Sequence, residues 1–173
     1  MRKLFLTLMF YVVLVNAAYA ADPPLCDLGS YGFLEKLGYA DYLIDNHVKV
    51  SGADVYAAQL PEDSMAQFQK YPNIHMFTYP DTGKLAQVTI WFKQNYDINS
   101  QIIVASKILS AIEGDAYKSD RYKAESCLIN LLNTYQQKAT VYYTSSAMNR
   151  RYVLSKGYSD GFMALMIGAK YIQ

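Results

Sequence analysis

The stretch Ile74–Gln94, IHMFTYPDTGKLAQVTIWFKQ, constrains the fold more than any other part of the chain. Two β-rich runs flank Pro80-Asp81-Thr82-Gly83. Proline pre-sets φ early in a turn, aspartate tolerates turn geometry and glycine accepts positive φ. A loop of about four residues with a glycine, set between such runs, is the signature of a β-hairpin. In the second run Ala86, Val88, Ile90 and Phe92 share one face, and Gln87, Thr89, Trp91 and Lys93 share the other. That period of two marks a strand with one buried face. The hairpin supplies a wall that the rest of the chain must cover.

Helical spacing appears on both sides of it. After a plausible cap at Ser30, residues Phe33, Leu34, Leu37, Ala40 and Ile44 predict an amphipathic helix over about 31–46, with Gly38 inside it. Val48–Ala58 favours a strand, broken at Ser51-Gly52. Pro61 opens a short helix with Met65 and Phe68 inward, and Tyr71-Pro72 stops it. Asn99 or Ser100 caps a helix with the stripe Ile102, Ala105, Ile108, Leu109 and Ile112, and Gly114 ends it. Ser119-Asp120 starts another, with Ala124, Cys127, Leu128, Leu131 and Tyr135 inward; one helix kinked at Gly114 is the alternative. Thr140–Thr144 and Arg151–Ser155 read as strands joined by a turn. Phe162–Ala169 is a strand or a short helix, and the strand suits a meander better. The pattern predicts an α+β fold. Its antiparallel sheet has about four to six strands, in two hairpins or a meander, covered by amphipathic helices and stapled by one disulfide.

The N-terminus is expected to lie outside that fold. Arg2 and Lys3 precede an apolar run, Leu4–Val15, and Ala18-Tyr19-Ala20 supplies the small residues of a cleavage site. We expect residues 1–20 to be a cleaved signal peptide and residues 21–173 to form a single domain. Leu25 stands where a lipoprotein signal needs a small residue, so Cys26 is not expected to carry lipid. No later apolar run matches a membrane span of about 20 residues, so no stable anchor is expected after cleavage. Without Arg2 and Lys3, the 16 Lys+Arg become 14 against 15 Asp+Glu, a net charge of −1. This balance gives no general attraction to nucleic acid or anionic lipid. Arg150-Arg151 with Lys156 is the one compact basic cluster, and it reads as a solvated strand end.

Two cysteines, Cys26 and Cys127, remain after cleavage. In an oxidising compartment an even count argues for pairing. Such a bond would close a loop of about a hundred residues, worth up to ~4–5 kcal/mol in the chain-entropy model.

The sequence offers little catalytic chemistry. His47 and His75 are its only histidines, and neither has a His or Cys at metal-ligand spacing. His47 reads as the end of a helix and His75 as part of a strand. There is no Gly-rich phosphate loop and no G-x-S-x-G elbow. Ser64, Ser126 and Ser145-Ser146 show no signature of an activated nucleophile. Glu62-Asp63 and Asp41/Asp45 are explained by helix first turns and outer faces. No cofactor and no metal are expected, and the reading leans away from an enzyme.

Aromatic surface is the positive feature. Trp91 lies on the polar face of its strand, with Phe77 and Tyr79 beside it. Tyr142 and Tyr143 occupy opposite faces of theirs, so one must leave the core; Tyr143 is taken as that residue. Trp and Tyr are common interface anchors. The candidate binding set is therefore Trp91, Tyr79, Phe77 and Tyr143. We expect an exported, periplasmic or secreted binding protein whose partner is another protein, as in an inhibitor or an immunity protein. The alternative is a carrier of a small apolar ligand in a cleft lined by Met76, Met163 and Met166. A cryptic hydrolase ranks third.

Overall fold

The computed structural model describes residues 23–38, 43–50, 53–59, 72–93, 96–159 and 161–170. Its elements run α1 (Ser30–Leu37), β1 (Leu43–Val50), β2 (Ala53–Gln59), β3 (Asn73–Thr78), β4 (Leu85–Lys93) and α2 (Ile98–Glu113). A single 3-10 turn, Gly114–Ala116, leads to α3 (Tyr117–Asn133), β5 (Ala139–Ser145), β6 (Arg150–Ser159) and β7 (Phe162–Lys170). The expected signal peptide, the helix at Pro61, Asp41, Glu62-Asp63, Ser64 and the side chain of Asp45 lie outside the described residues.

The β3–β4 hairpin forms around Pro80–Gly83. Tyr79 N–H bonds the Lys84 carbonyl at 2.9 Å, Gly83 N–H returns to the Tyr79 carbonyl at 2.8 Å, and Gly83 takes φ 66°. The register slips between Phe77 and Thr78, which leaves Ala86 without a partner on β3. Leu85 rather than Ala86 therefore joins the main core at this end. Beyond that bulge Val88, Ile90 and Phe92 are buried in the main core, and Gln87, Thr89 and Trp91 lie on the opposite face. Gln87 and Thr89 are buried there too, so β4 is covered on both faces over most of its length, whereas its period of two predicts one buried face.

The seven strands of the described residues form one antiparallel sheet in the order β1-β2-β3-β4-β7-β6-β5. The expectation of four to six strands fails at Gly38. That residue takes φ 69° as a left-handed cap and its N–H closes on the Glu35 and Leu34 carbonyls. Glycine adopts this conformation without strain, so α1 stops at Leu37 instead of running to 46. Leu43–Val50 is left to pair with Ala53–Gln59 as two extra strands, and His47 lies on a strand. Phe162–Lys170 is a strand, paired with β4 on one side and β6 on the other.

The helices cover one face. Phe33, Leu34 and Leu37 of α1 join the core with Val104, Ile108 and Leu109 of α2 and Ala124, Leu128 and Leu131 of α3. Against them stand Ile74, Met76, Ile90, Phe92, Leu154, Leu165 and Ile167 of the sheet. Burying each large side chain is worth roughly 1.5–3 kcal/mol. Asp97, not Asn99 or Ser100, caps α2, its carboxylate accepting the Ser100 N–H at 2.9 Å. Gly114 ends α2, as expected, with φ 63°.

The expected disulfide is absent, because both cysteines are free. A bridge requires Cα atoms within about 7 Å. Cys26 is held at the start of β4 by its neighbours, since Leu25 N–H bonds the Leu85 carbonyl and Leu85 N–H bonds the Leu28 carbonyl. Cys127 lies against Tyr142 of β5, with β7 and β6 between that strand and β4. Backbone pairing, a Lys84–Asp27 ion pair at 2.7 Å and an Arg150 bond to the Leu25 carbonyl at 2.6 Å fix the N-terminal segment instead. Gly29 fits this docking, because a Cβ there would lie 3.2 Å from the Gly83 carbonyl.

Candidate functional site

Trp91 is half-buried at the end of the sheet where β3, β4 and β7 meet; it pairs with Asn73 and Ala164. Its indole N–H donates to His75 Nδ1 at 3.0 Å, and the two rings are tilted at 56°. With Nδ1 accepting, the imidazole carries its proton on Nε2. His75 as a residue keeps some surface in solvent, yet its ring is enclosed enough that burial pushes its pKa down to about 4. It is therefore neutral near pH 7 and acts as an acceptor for tryptophan rather than as a cation.

Beside this pair is a cavity of about 70 Å³. Four rings, Trp91, Phe92, Tyr96 and Phe162, line it with Pro72, Asn73 and Lys93. Small-molecule sites usually run to about 300–1,000 Å³. The volume here suits one inserted side chain. Lys93 is exposed at its rim, a cation beside an aromatic cup.

The other expected binding residues disperse. Phe77 is buried with Ala53 and Val55 in a small second cluster on the sheet face away from the helices. Tyr79 is half-buried at the mouth of the hairpin loop. Tyr143 is fully buried and stacks on Tyr152 with centroids 5.5 Å apart. Its neighbour Tyr142 is the outward residue, 60% exposed. The methionines do not line one cleft. Met76 and Met163 are in the main core, whereas Met166 lies on the opposite face, paired with Thr89.

A polar cluster that sequence reasoning missed lies where α2, α3, β5 and β6 converge. Ser145 Oγ is 3.1 Å from Asp120 Oδ2 and 3.4 Å from Glu113 Oε2. The Tyr143 hydroxyl donates to Glu113 Oε2 at 3.3 Å, and Ala147 N–H donates to Asp120 at 3.1 Å. One serine proton cannot serve two carboxylates. Asp120, the nearer, is held below its usual pKa, first by the Ala147 N–H. Burial pushes Glu113 up, which favours its protonated form, and its Oε1 lies buried without a hydrogen-bond partner. Ser145 is wholly buried, so substrate cannot reach it; the cluster clamps the helix pair to the sheet. Its members are scattered from 113 to 147, and no local motif signals them.

Lys156 also departs from expectation. It is 2% exposed, not part of a solvated strand end. Its amine donates to the Leu132 and Thr134 carbonyls at 3.2 and 2.6 Å, closing the C-terminal end of α3. Burial lowers its pKa. Both thiols are raised by burial as well, so neither is poised as a thiolate nucleophile.

Among the described residues, no group of three His, Cys, Asp or Glu is arranged to hold a metal ion. Nor is any described helix long and apolar enough to cross a membrane. No family model, curated protein or solved structure matches the chain.

Proposed function

We propose that this chain is an exported, periplasmic or secreted protein that acts by binding another protein, as an inhibitor or immunity protein does. The cup beside Trp91 carries the reading. Four aromatic rings surround a space the size of one side chain, and Lys93 stands at the rim. Hot spots take this form: a rigid aromatic anchor held in place, with a charge at its margin. The His75 bond fixes the Trp91 ring before binding, which spares ordering cost.

The test is capture by the chain from residue 21 onward, in extracts of the cells that make it, against a Lys93→Glu variant. Lys93 is exposed, so its reversal leaves the core intact. The reading expects a stoichiometric partner on the wild type that is lost, or weakened at least tenfold, on the variant. A partner held equally by both would remove the cup from the interface. Export is tested separately by N-terminal sequencing of the mature protein, which should begin at Ala21.

A further inference from the structure

The two ends of the sheet differ. At one end β1 carries a register shift between Ile44 and Asn46, with Lys49 and a His47–Asp54 contact at 3.1 Å. Bulges and charges of this kind blunt a strand edge. At the other end β5 reads ATVYYTS, with no charge, no proline and an unbroken register against β6. Cys127 Sγ lies 3.8 Å from the Tyr142 carbonyl, so that carbonyl turns away from β6. Antiparallel ladders alternate, which turns the N–H and C=O groups of Thr140, Tyr142 and Thr144 outward together. A thiol is a weak donor and leaves them available. Thr140 and Tyr142 are exposed, and among the described residues no strand lies outside β5.

Charge selects the occupant. Lys123 stands at one end of this edge, its amine 3.3 Å from Ser146 Oγ, and exposed Lys138 stands at the other. Arg151 lies 6.0 Å over the Tyr142 ring. The nearby acids are engaged elsewhere: Glu125 pairs with Arg121 at 2.8 Å, and Asp120 is buried under the β5–β6 turn. A second copy pairing about Tyr142 would set Lys123 of each copy against Lys138 of the other, which opposes self-association.

We propose that the β5 edge accepts an extended segment of a partner protein as an eighth strand, one whose β-forming run is flanked by carboxylates about eight residues apart. The added strand would complete the outward backbone bonds, and its acidic ends would meet Lys123 and Lys138. This rests on the reading that the ligand is a protein, and adds a site remote from Trp91.

The probe is acetyl-Asp-Thr-Val-Thr-Val-Thr-Val-Thr-Asp-amide, with a lysine-ended twin as control. Binding is followed by amide NMR and hydrogen exchange on the chain from residue 21. The acid-ended peptide should shift and protect the Thr140, Tyr142 and Thr144 amides and bind at least tenfold tighter than its twin. Lys123→Glu with Lys138→Glu should reverse that preference, and Thr140→Pro should abolish binding without loss of β5–β6 pairing. Equal binding of both peptides, shifts confined to the Trp91 region, or protection of β5 through a concentration-dependent dimer would each overturn the proposal. Peptide binding that persists when Lys93→Glu leaves partner capture unchanged supports the β5 site while removing the Trp91 cup.

Discussion

The Trp91 indole donates to His75 Nδ1 at 3.0 Å, across neighbouring strands of one hairpin. A histidine whose folded pKa is depressed contributes stability above its unfolded value, and loses it as pH falls through the folded value. Here the window runs from 6.5 down to about 4. Wild-type stability should fall across it by up to roughly 3 kcal/mol more than that of His75→Gln, which keeps an acceptor for the indole but does not titrate. Urea midpoints at several pH values decide this. Trp91 is the one tryptophan of the chain, so its fluorescence reports the same site. Equal slopes in the two proteins would refute the assignment.

Glu113 runs the other way. Burial raises its pKa above 4.5, so its contribution is complete below that value and is lost as pH rises through the folded pKa. Glu113→Gln keeps the shape and a donor for Ser145 but removes the ionisation. It should abolish that loss, leaving the variant at least as stable as wild type at alkaline pH. Thermal midpoints across the pH range test this, and a carbon-13 titration of the Glu113 carboxyl should show the raised value directly.

Neither cysteine is needed for the fold. Under denaturing, non-reducing conditions the chain should take up two alkyl groups, read by mass spectrometry. Cys26→Ser with Cys127→Ser should cost about 1–2 kcal/mol or less, well short of the roughly 4–5 kcal/mol expected for losing a long-loop disulfide. A mass two units below that of the dithiol, or collapse on adding reductant, would restore the bridge.

Lys156 should resist replacement. Its amine satisfies two carbonyls at the end of α3 from a buried position. Lys156→Met fills much of the volume but orphans both acceptors, at a cost of about 1–3 kcal/mol each if water cannot reach them. Lys138→Met, the same replacement at an exposed lysine, is the control and should be nearly neutral. Denaturant midpoints compare the two.

What could be read from sequence was local. Pro80–Gly83 and the alternation from Val88 to Phe92 announced the hairpin, and the stripe Ala105, Ile108, Leu109, Ile112 announced α2, because each rule acts over a few residues. Gly38 misled, since a glycine within an apolar pattern fits a close contact as well as a helix end, and only its φ of 69° separates the two. The two cysteines misled because parity says nothing of distance. The tyrosines of β5 showed that one must face out but not which; that depends on how the strand meets α3. The Glu113–Ser145–Asp120 contact and the Trp91–His75 bond arise from pairing across the sheet and were beyond any local pattern.

The position of β7 sets an order of events in folding. It lies between β4 and β6, so Val88 pairs with Ile167 and Leu154 pairs with the same residue from the other side. Until β7 arrives, β4 and β6 each present an unsatisfied inner edge, and the two meanders are separate ribbons that share no strand. Sheets closed by such distant pairings form slowly, on the order of milliseconds to seconds. During that interval the apolar faces of both ribbons are open to other chains. The pairing of β7 with β4 is thus the contact that turns two ribbons into one sheet.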